Sequence, residues 1–201
     1  EAELRVRLEA EGKLKTVEAE RWGVPPTRMG AAGRGEVVKV TEAEVVLVAV
    51  KPQDIRDVLR QIGTARRTRR IVVMSVAAGV PIRAIERLAG RGPIIRVMPN
   101  LPATVGSGIS ALAWGRGISA TDQAAARAIF QGVGDVIVVP ERLLDAVTAV
   151  SGSGPAYFFT VFQALREAGA RLGLPGDVAE RLAVCTALGS AKLALGAPGQ
   201  L

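Results

Sequence analysis

The chain has 201 residues, 49% of them hydrophobic but only 3% aromatic, and a formal net charge of +7. That length suffices for one large domain or two small ones, with a sizeable core built from Ala, Val, Leu and Ile, a mix that suits α/β proteins. The absence of histidine excludes His-based triads, imidazole metal sites and His acid–base work.

No apolar run approaches the ~18 residues of a membrane span, and the start, EAELRVRLEAEGKLK, lacks an apolar signal core. A soluble, cytoplasmic protein without membrane contact is expected. The first 40 residues read as a helix through roughly 2–21, from the spacing of Leu, Val and Ala, and then the Gly- and Pro-rich loop RWGVPPTRMGAAGRG. From residue 44 the pattern repeats. EVVLVAV (44–50), IVVMSV (71–76), IIRVM (94–98), ISALAW (109–114) and VIVV (136–139) are short, β-branched and mostly continuously apolar, as strands covered on both faces should be.

Between the first three lie helical segments: DIRDVLRQIG, apolar at 55, 58, 59 and 62, and PIRAIERLAG, opened by Pro81. TDQAAARAIFQGVG follows the fourth strand with Thr121 placed to cap it. The alternation signals parallel pairing with crossover helices. The basic run ARRTRR at 65–70 reads as a solvated loop before a strand, and no basic-and-aromatic interleaving of the kind that stacks bases is present, so no nucleic-acid partner is expected.

After Pro140 the strand pattern stops. ERLLDAVTAV, PAYFFTVFQALREAGARLG and DVAERLAVCTALGSAKLAL are helical, the last opened by Asp177 with Glu180 three residues on, as in a capping box. The middle one is apolar nearly all round, which calls for burial by other helices. Cys185, the single cysteine, lies in LAVCTALG and reads as a buried, inert thiol. A boundary near 140 divides an α/β domain (1–140) from an all-α one (141–201).

In an open parallel sheet, ligands sit beyond the carboxyl ends of the strands. The first three strands end in AVKP (49–52), SVAAG (75–79) and VMPN (97–100). Ala77, Ala78 and Gly79 let a flat ligand reach backbone N–H groups; Pro52 and Pro99 stiffen adjacent turns; Asn100 offers a donor and an acceptor, and Lys51 a charge. In SGSGPAYFF (151–159), Pro155 fits the first turn of a helix that Ser153 or Gly154 caps. The helix start, with the Ser151 and Ser153 hydroxyls, is a candidate anion site. A simple helix break would need only one Gly or Pro, not three such residues and two serines.

AVKPQ, SVAAGVPI, IIRVMPNLPATVGSG and DAVTAVSGSGPAYFF resemble, in order and spacing, the pyrroline-5-carboxylate reductase family, from about residue 36 onward. The resemblance implies a Rossmann-like parallel-sheet domain followed by an all-helical dimerisation domain, here incomplete. It also implies NADPH- or NADH-dependent reduction of 1-pyrroline-5-carboxylate to L-proline, the last step of proline biosynthesis. By motif, Ala49, Val50, Lys51, Pro52, Val76, Ala77 and Ala78 fall on the cofactor contacts. Asn100, Ser151, Gly152, Ser153, Gly154 and Pro155 fall near the nicotinamide and the carboxylate of the small imine substrate. A homo-oligomer through the helical domain is implied. Because an iminium substrate can arrive protonated, the protein has mainly to orient two molecules, and no histidine is needed.

The sequence departs from the family pattern in three places. No GxGxxG loop is present, and GAAGRG at 30–35 has different glycine spacing. Glu36, near the expected adenosine side, suits a 2′-phosphate badly. The SPGGT-type segment that follows a PGQL-like turn in the family is absent, so a fragment or diverged copy is expected. Two other functions fit the pattern: a sibling dehydrogenase for another small carboxylated substrate, with Lys192 its catalytic candidate, or a non-catalytic partner pairing through the helical domain.

Overall fold

The computed structural model describes the backbone of residues 5–10, 13–18, 44–50 and 54–196, with side chains for the last two ranges. The Gly- and Pro-rich loop, Glu36, Lys51 and Pro52 lie outside the described residues. The helix expected through 2–21 is instead an antiparallel hairpin of β1 (Arg5–Ala10) and β2 (Lys13–Glu18), with Val6 opposite Val17. The sequence explains the correction: Val6, Leu8 and Ala10 alternate with Arg5, Arg7 and Glu9, the period of a strand, and only Glu11 and Gly12 separate the two runs.

The five apolar runs form one sheet, in the spatial order β3 (Val45–Val48), β4 (Val72–Ser75), β5 (Ile94–Met98), β6 (Gly108–Trp114) and β7 (Gly134–Val138). Pairing is parallel except between β5 and β6, which run antiparallel. Residues 99–107 join those two strands, fewer than the dozen or so that a parallel crossover needs. They make one 3₁₀ turn, Leu101–Val105, and reverse the chain.

Helices cover both faces. α1 (Ile55–Ala65) and α2 (Ile82–Ala89) enclose a core of Val48, Leu59, Ile62, Val73, Ile85 and Ile94. On the opposite face, α3 (Ala120–Gln131) packs Ala126 and Phe130 on Val72, Met74, Ile95, Val97 and Leu112. Each fully buried Leu or Ile of these layers contributes about 1.5–3 kcal/mol relative to exposure. Ser119, not Thr121, caps α3. Its Oγ accepts from the Asp122 amide at 3.1 Å, while Asp122 Oδ2 accepts from the Ser119 amide at 2.7 Å. This reciprocal box satisfies two amides at once, which a cap at Thr121 would not.

The basic run is less solvated than expected. Arg66 ends α1 and donates to the carbonyls of Ile71 (2.8 and 3.1 Å), Gly90 (3.0 Å) and Pro93, tying the α1–β4 and α2–β5 connections together. Burial, and then the charge of Arg70, pull its pKa below the ordinary arginine value.

The chain divides into two compact units, residues 1–152 and 153–201. The segment after β7 belongs with the first: a 3₁₀ turn at Glu141–Leu143, α4 (Leu144–Val147), and a π-helical turn at Thr148–Gly152. Leu144 is buried against Ala111 and Ala113 of β6.

The second unit is a helical hairpin, α5 (Gly154–Arg171) and α6 (Gly176–Gly196). α6 begins at Gly176, which puts Asp177 in its first turn rather than at the cap. The two helices meet at Gly169, where an added Cβ would stand 2.9 Å from that of Ala179. Burial of α5 on all sides is not seen: Tyr157, Phe158, Phe159, Val161 and Leu165 are half or more exposed, as are Leu182 and Leu188 on α6. Cys185 is exposed as well, contrary to the sequence reading. Two helices can bury only the stripe along which they touch, and both sequences are apolar well beyond it.

Candidate functional site

The order β3, β4, β5 makes three parallel strand ends neighbours. Val48 pairs with Ser75, and Ser75 with Arg96, so these residues stand abreast near the carboxyl ends. Beyond them, at one edge of the sheet, come Ala49 and Val50, then Val76, Ala77 and Ala78, then Met98, Pro99 and Asn100, all partly or fully exposed. Val50 and Ala77 pack toward the α1 and α2 layer and Val76 toward the α3 layer, as strand alternation requires.

The tip of β4 is shaped by its own atoms. Val76 makes a final ladder bond, its amide donating to the Val48 carbonyl at 3.2 Å, and buried Ser75 Oγ accepts from the Ala77 amide at 3.3 Å. Gly79 then turns the chain with φ +73°, and nothing lies within 4 Å of where its Cβ would be. Small side chains beside this open, left-handed position leave backbone accessible, which fits a flat dinucleotide end lying across the strand tips.

At the tip of β5, Asn100 Oδ1 accepts from the Ile109 amide at 2.9 Å and so closes the turn into β6. Its Nδ2 has no partner among the described residues and remains a donor. Asn100 thus has a structural task that its residue type alone did not disclose.

The SGSGP turn straddles the two units. In the first, Ser151 Oγ donates to the Val147 carbonyl at 3.1 Å and Thr148 Oγ to that of Leu144 at 2.8 Å, both inside the helical stretch. Gly152 sits on the end of β5: a Cβ there would be 2.7 Å from Met98 Cε. In the second unit, Ser153 precedes α5 without a side-chain cap bond, and Pro155 occupies the first turn. Ala156 donates to the Ser153 carbonyl at 3.0 Å. The structure therefore brings Gly152 to the β5 tip, with Ser151 next to it in the chain.

A family model described as pyrroline-5-carboxylate reductase dimerisation matches residues 141–201, and one described as NADP oxidoreductase, coenzyme F420-dependent, matches residues 21–79. The chain is 46% identical over 151 residues to the pyrroline-5-carboxylate reductase of Synechocystis sp., covering 75% of this chain and 56% of that protein. Among solved structures, it is similar to a pyrroline-5-carboxylate reductase from Coxiella burnetii, with TM-score 0.76, 37% identity, and 80% of this chain and 60% of that one covered. It is also similar to the Plasmodium falciparum pyrroline carboxylate reductase solved with NADP bound, with TM-score 0.72, 28% identity, and 79% and 60% covered. The chain belongs to the pyrroline-5-carboxylate reductase family. It spans a little over half the length of the curated relatives it matches.

Two residues of this pyrroline-5-carboxylate reductase family member escaped the sequence reading. Arg96, in the middle of apolar β5, is buried, and its Nη1 donates to Glu141 Oε1 at 3.1 Å. The same oxygen accepts from the Ile82 amide at 2.7 Å, at the start of α2. A charge inside the run IIRVM was the available signal, because a buried guanidinium needs an acceptor somewhere. Among the described residues no group of three or more His, Cys, Asp or Glu is placed to hold a metal ion, and no helix is long and apolar enough to cross a membrane.

Proposed function

We propose that this chain belongs to an NADPH- or NADH-dependent reductase of 1-pyrroline-5-carboxylate, forming L-proline in the last step of proline biosynthesis, in the cytoplasm. The observation that carries the reading is the seating of Gly152 on Met98 at the tip of β5, beside the small-residue tips of β3 and β4, in a chain 46% identical to a curated reductase of that name. Bound across those tips, a reduced nicotinamide supplies a hydride to a C=N carbon.

The chain's own residues orient and hold. Ala49, Val50, Val76, Ala77 and Ala78 are the cofactor edge, where small side chains expose backbone, and Lys51 and Pro52, which follow Val50 in the sequence, are assigned to the same contacts by motif. Asn100 presents Nδ2 beside it, its other amide atom being fixed by Ile109. The turn from Ser151 through Gly152, Ser153, Gly154 and Pro155 takes the substrate carboxylate, with the α5 dipole contributing about 0.3–2 kcal/mol to an anion there. An iminium nitrogen carries its own proton, so the site needs no acid. In functional terms residues 1–140 serve the dinucleotide and 141–201 the substrate and a second copy of the chain; the exposed apolar side chains of α5 and α6 support that pairing.

The test is direct. Purified protein given 1-pyrroline-5-carboxylate and either reduced nicotinamide should consume the cofactor in step with proline formed. Neither consumption nor cofactor binding, with both nucleotides, overturns the proposal.

A further inference from the structure

We infer that Glu141 is a positioning residue for the turn at Ser151 and Gly152, acting through Arg96; this rests on reading that turn as part of a ligand site. Arg96 and Met98 are alternate residues of β5 and share one face. The chain touches that face twice. It arrives at Glu141, whose Oε1 takes Arg96 Nη1 at 3.1 Å and the Ile82 amide at 2.7 Å. It returns at Gly152, seated on Met98 Cε.

Between the two anchors, Leu144 is buried against Ala111 and Ala113. The remaining length is taken up by the π-helical turn at Thr148–Gly152. A π turn holds one residue more than the α-helical turn it replaces, and such turns recur at functional sites. Fixing both ends leaves the wider turn as the way to fit 141–152 onto two neighbouring positions of one strand. Glu141 is the anchor farther from the turn. Releasing it lets the segment slide, relax toward α-helix, and carry Ser151 and Gly152 off the β5 tip.

Hydrogen exchange on the full chain tests this without needing turnover. In E141A the amides of 148–152 should exchange about tenfold faster while those of β3 and β4 keep their parent rates. E141Q, which retains an acceptor for the Ile82 amide, should show a smaller increase. Where the parent turns over, E141A should raise KM for the carboxylated substrate and leave kcat within about twofold.

Unchanged exchange at 148–152 in folded E141A, or exchange accelerated throughout the sheet in E141Q, overturns the inference. If E141A does not fold, E141Q and R96K decide, with loss of protection confined to 148–152 as the supporting result and none there as the opposing one. A parent without turnover counts against the proposed reaction alone, and exchange still decides the role of Glu141.

Discussion

Arg70, just before β4, holds Asp122 in the first turn of α3 with two guanidinium nitrogens, Nη1 on Oδ1 at 3.1 Å and Nη2 on Oδ2. The hydrogen bond from Arg70 is the main cause that lowers the Asp122 pKa from 3.8 to about 2; burial opposes it, and the Ser119 amide and hydroxyl add to the lowering. The folded value lies below the unfolded one. The contribution is therefore complete above roughly pH 4 and lost as the pH falls toward 2.

Asp122→Asn should cost about 1–2 kcal/mol at neutral pH, discounted because Arg70 is half exposed. It should also flatten the acid limb of stability between those two pH values. Denaturant melts at several pH values check this, and an acid limb equal to the parent's refutes it.

Gly63 is the close point between α1 and α2. A Cβ there would lie 2.8 Å from the Leu88 carbonyl oxygen and 3.2 Å from Ala89 Cα, backbone atoms that cannot swing aside. Gly63→Ala should therefore destabilise by about 1–3 kcal/mol, despite Ala being the better helix former by about 1 kcal/mol. Urea unfolding gives the value, and a stabilised variant would mean that the two helices separate freely.

The two amide atoms of Asn100 divide its structural task, at Oδ1, from the binding role proposed for it, at Nδ2. Asn100→Asp keeps an acceptor for the Ile109 amide, so stability should change little; Asn100→Ala removes it and should cost about 1–2 kcal/mol. Both lose the Nδ2 donor and should weaken cofactor or substrate binding alike. Fluorescence titration of reduced nicotinamide beside thermal melts distinguishes the two effects, and unweakened binding in both variants removes Asn100 from the site.

The strands were legible because parallel strands buried on both faces leave continuous β-branched runs, as in EVVLVAV and IVVMSV. The tips followed from them, since strand ends fix where AVKP, SVAAG and VMPN can meet. What was not legible depends on partners distant in sequence or on competing local choices. Glu141 lies 45 positions from Arg96, and no local pattern names that pair. Ser119 and Thr121 both offer a hydroxyl, and the decision rests on Asp122 standing three residues after Ser119. The hairpin is masked because the spacing of Leu, Val and Ala over about 20 residues also fits a helix, while the strand period shows only within six.

Cys185 offers a test of the proposed pairing of the helical unit. Exposed on α6 in the single chain, it should react with a maleimide at dilution and become protected as concentration rises, if a second copy covers the apolar side chains around it. Sedimentation run in parallel should show the larger species over the same range. Labelling that stays constant while the species grows would place the contact elsewhere.

The reversal between β5 and β6 sorts the connecting loops by side. Residues 115–119, after β6, lie beside Arg70 at the amino ends of β4 and β5, where Arg70 also approaches the Gly117 carbonyl. They are out of reach of anything bound across Ala77 and Asn100. Variation there is thus free of the demands of chemistry, and structure limits it instead: Ser119 caps α3, Gly117 turns with φ +69°, and a Cβ at Gly115 would lie 2.5 Å from the Ile94 carbonyl oxygen. Tags or reporter groups placed at Arg116 are accordingly less intrusive handles than any at the opposite edge of this sheet.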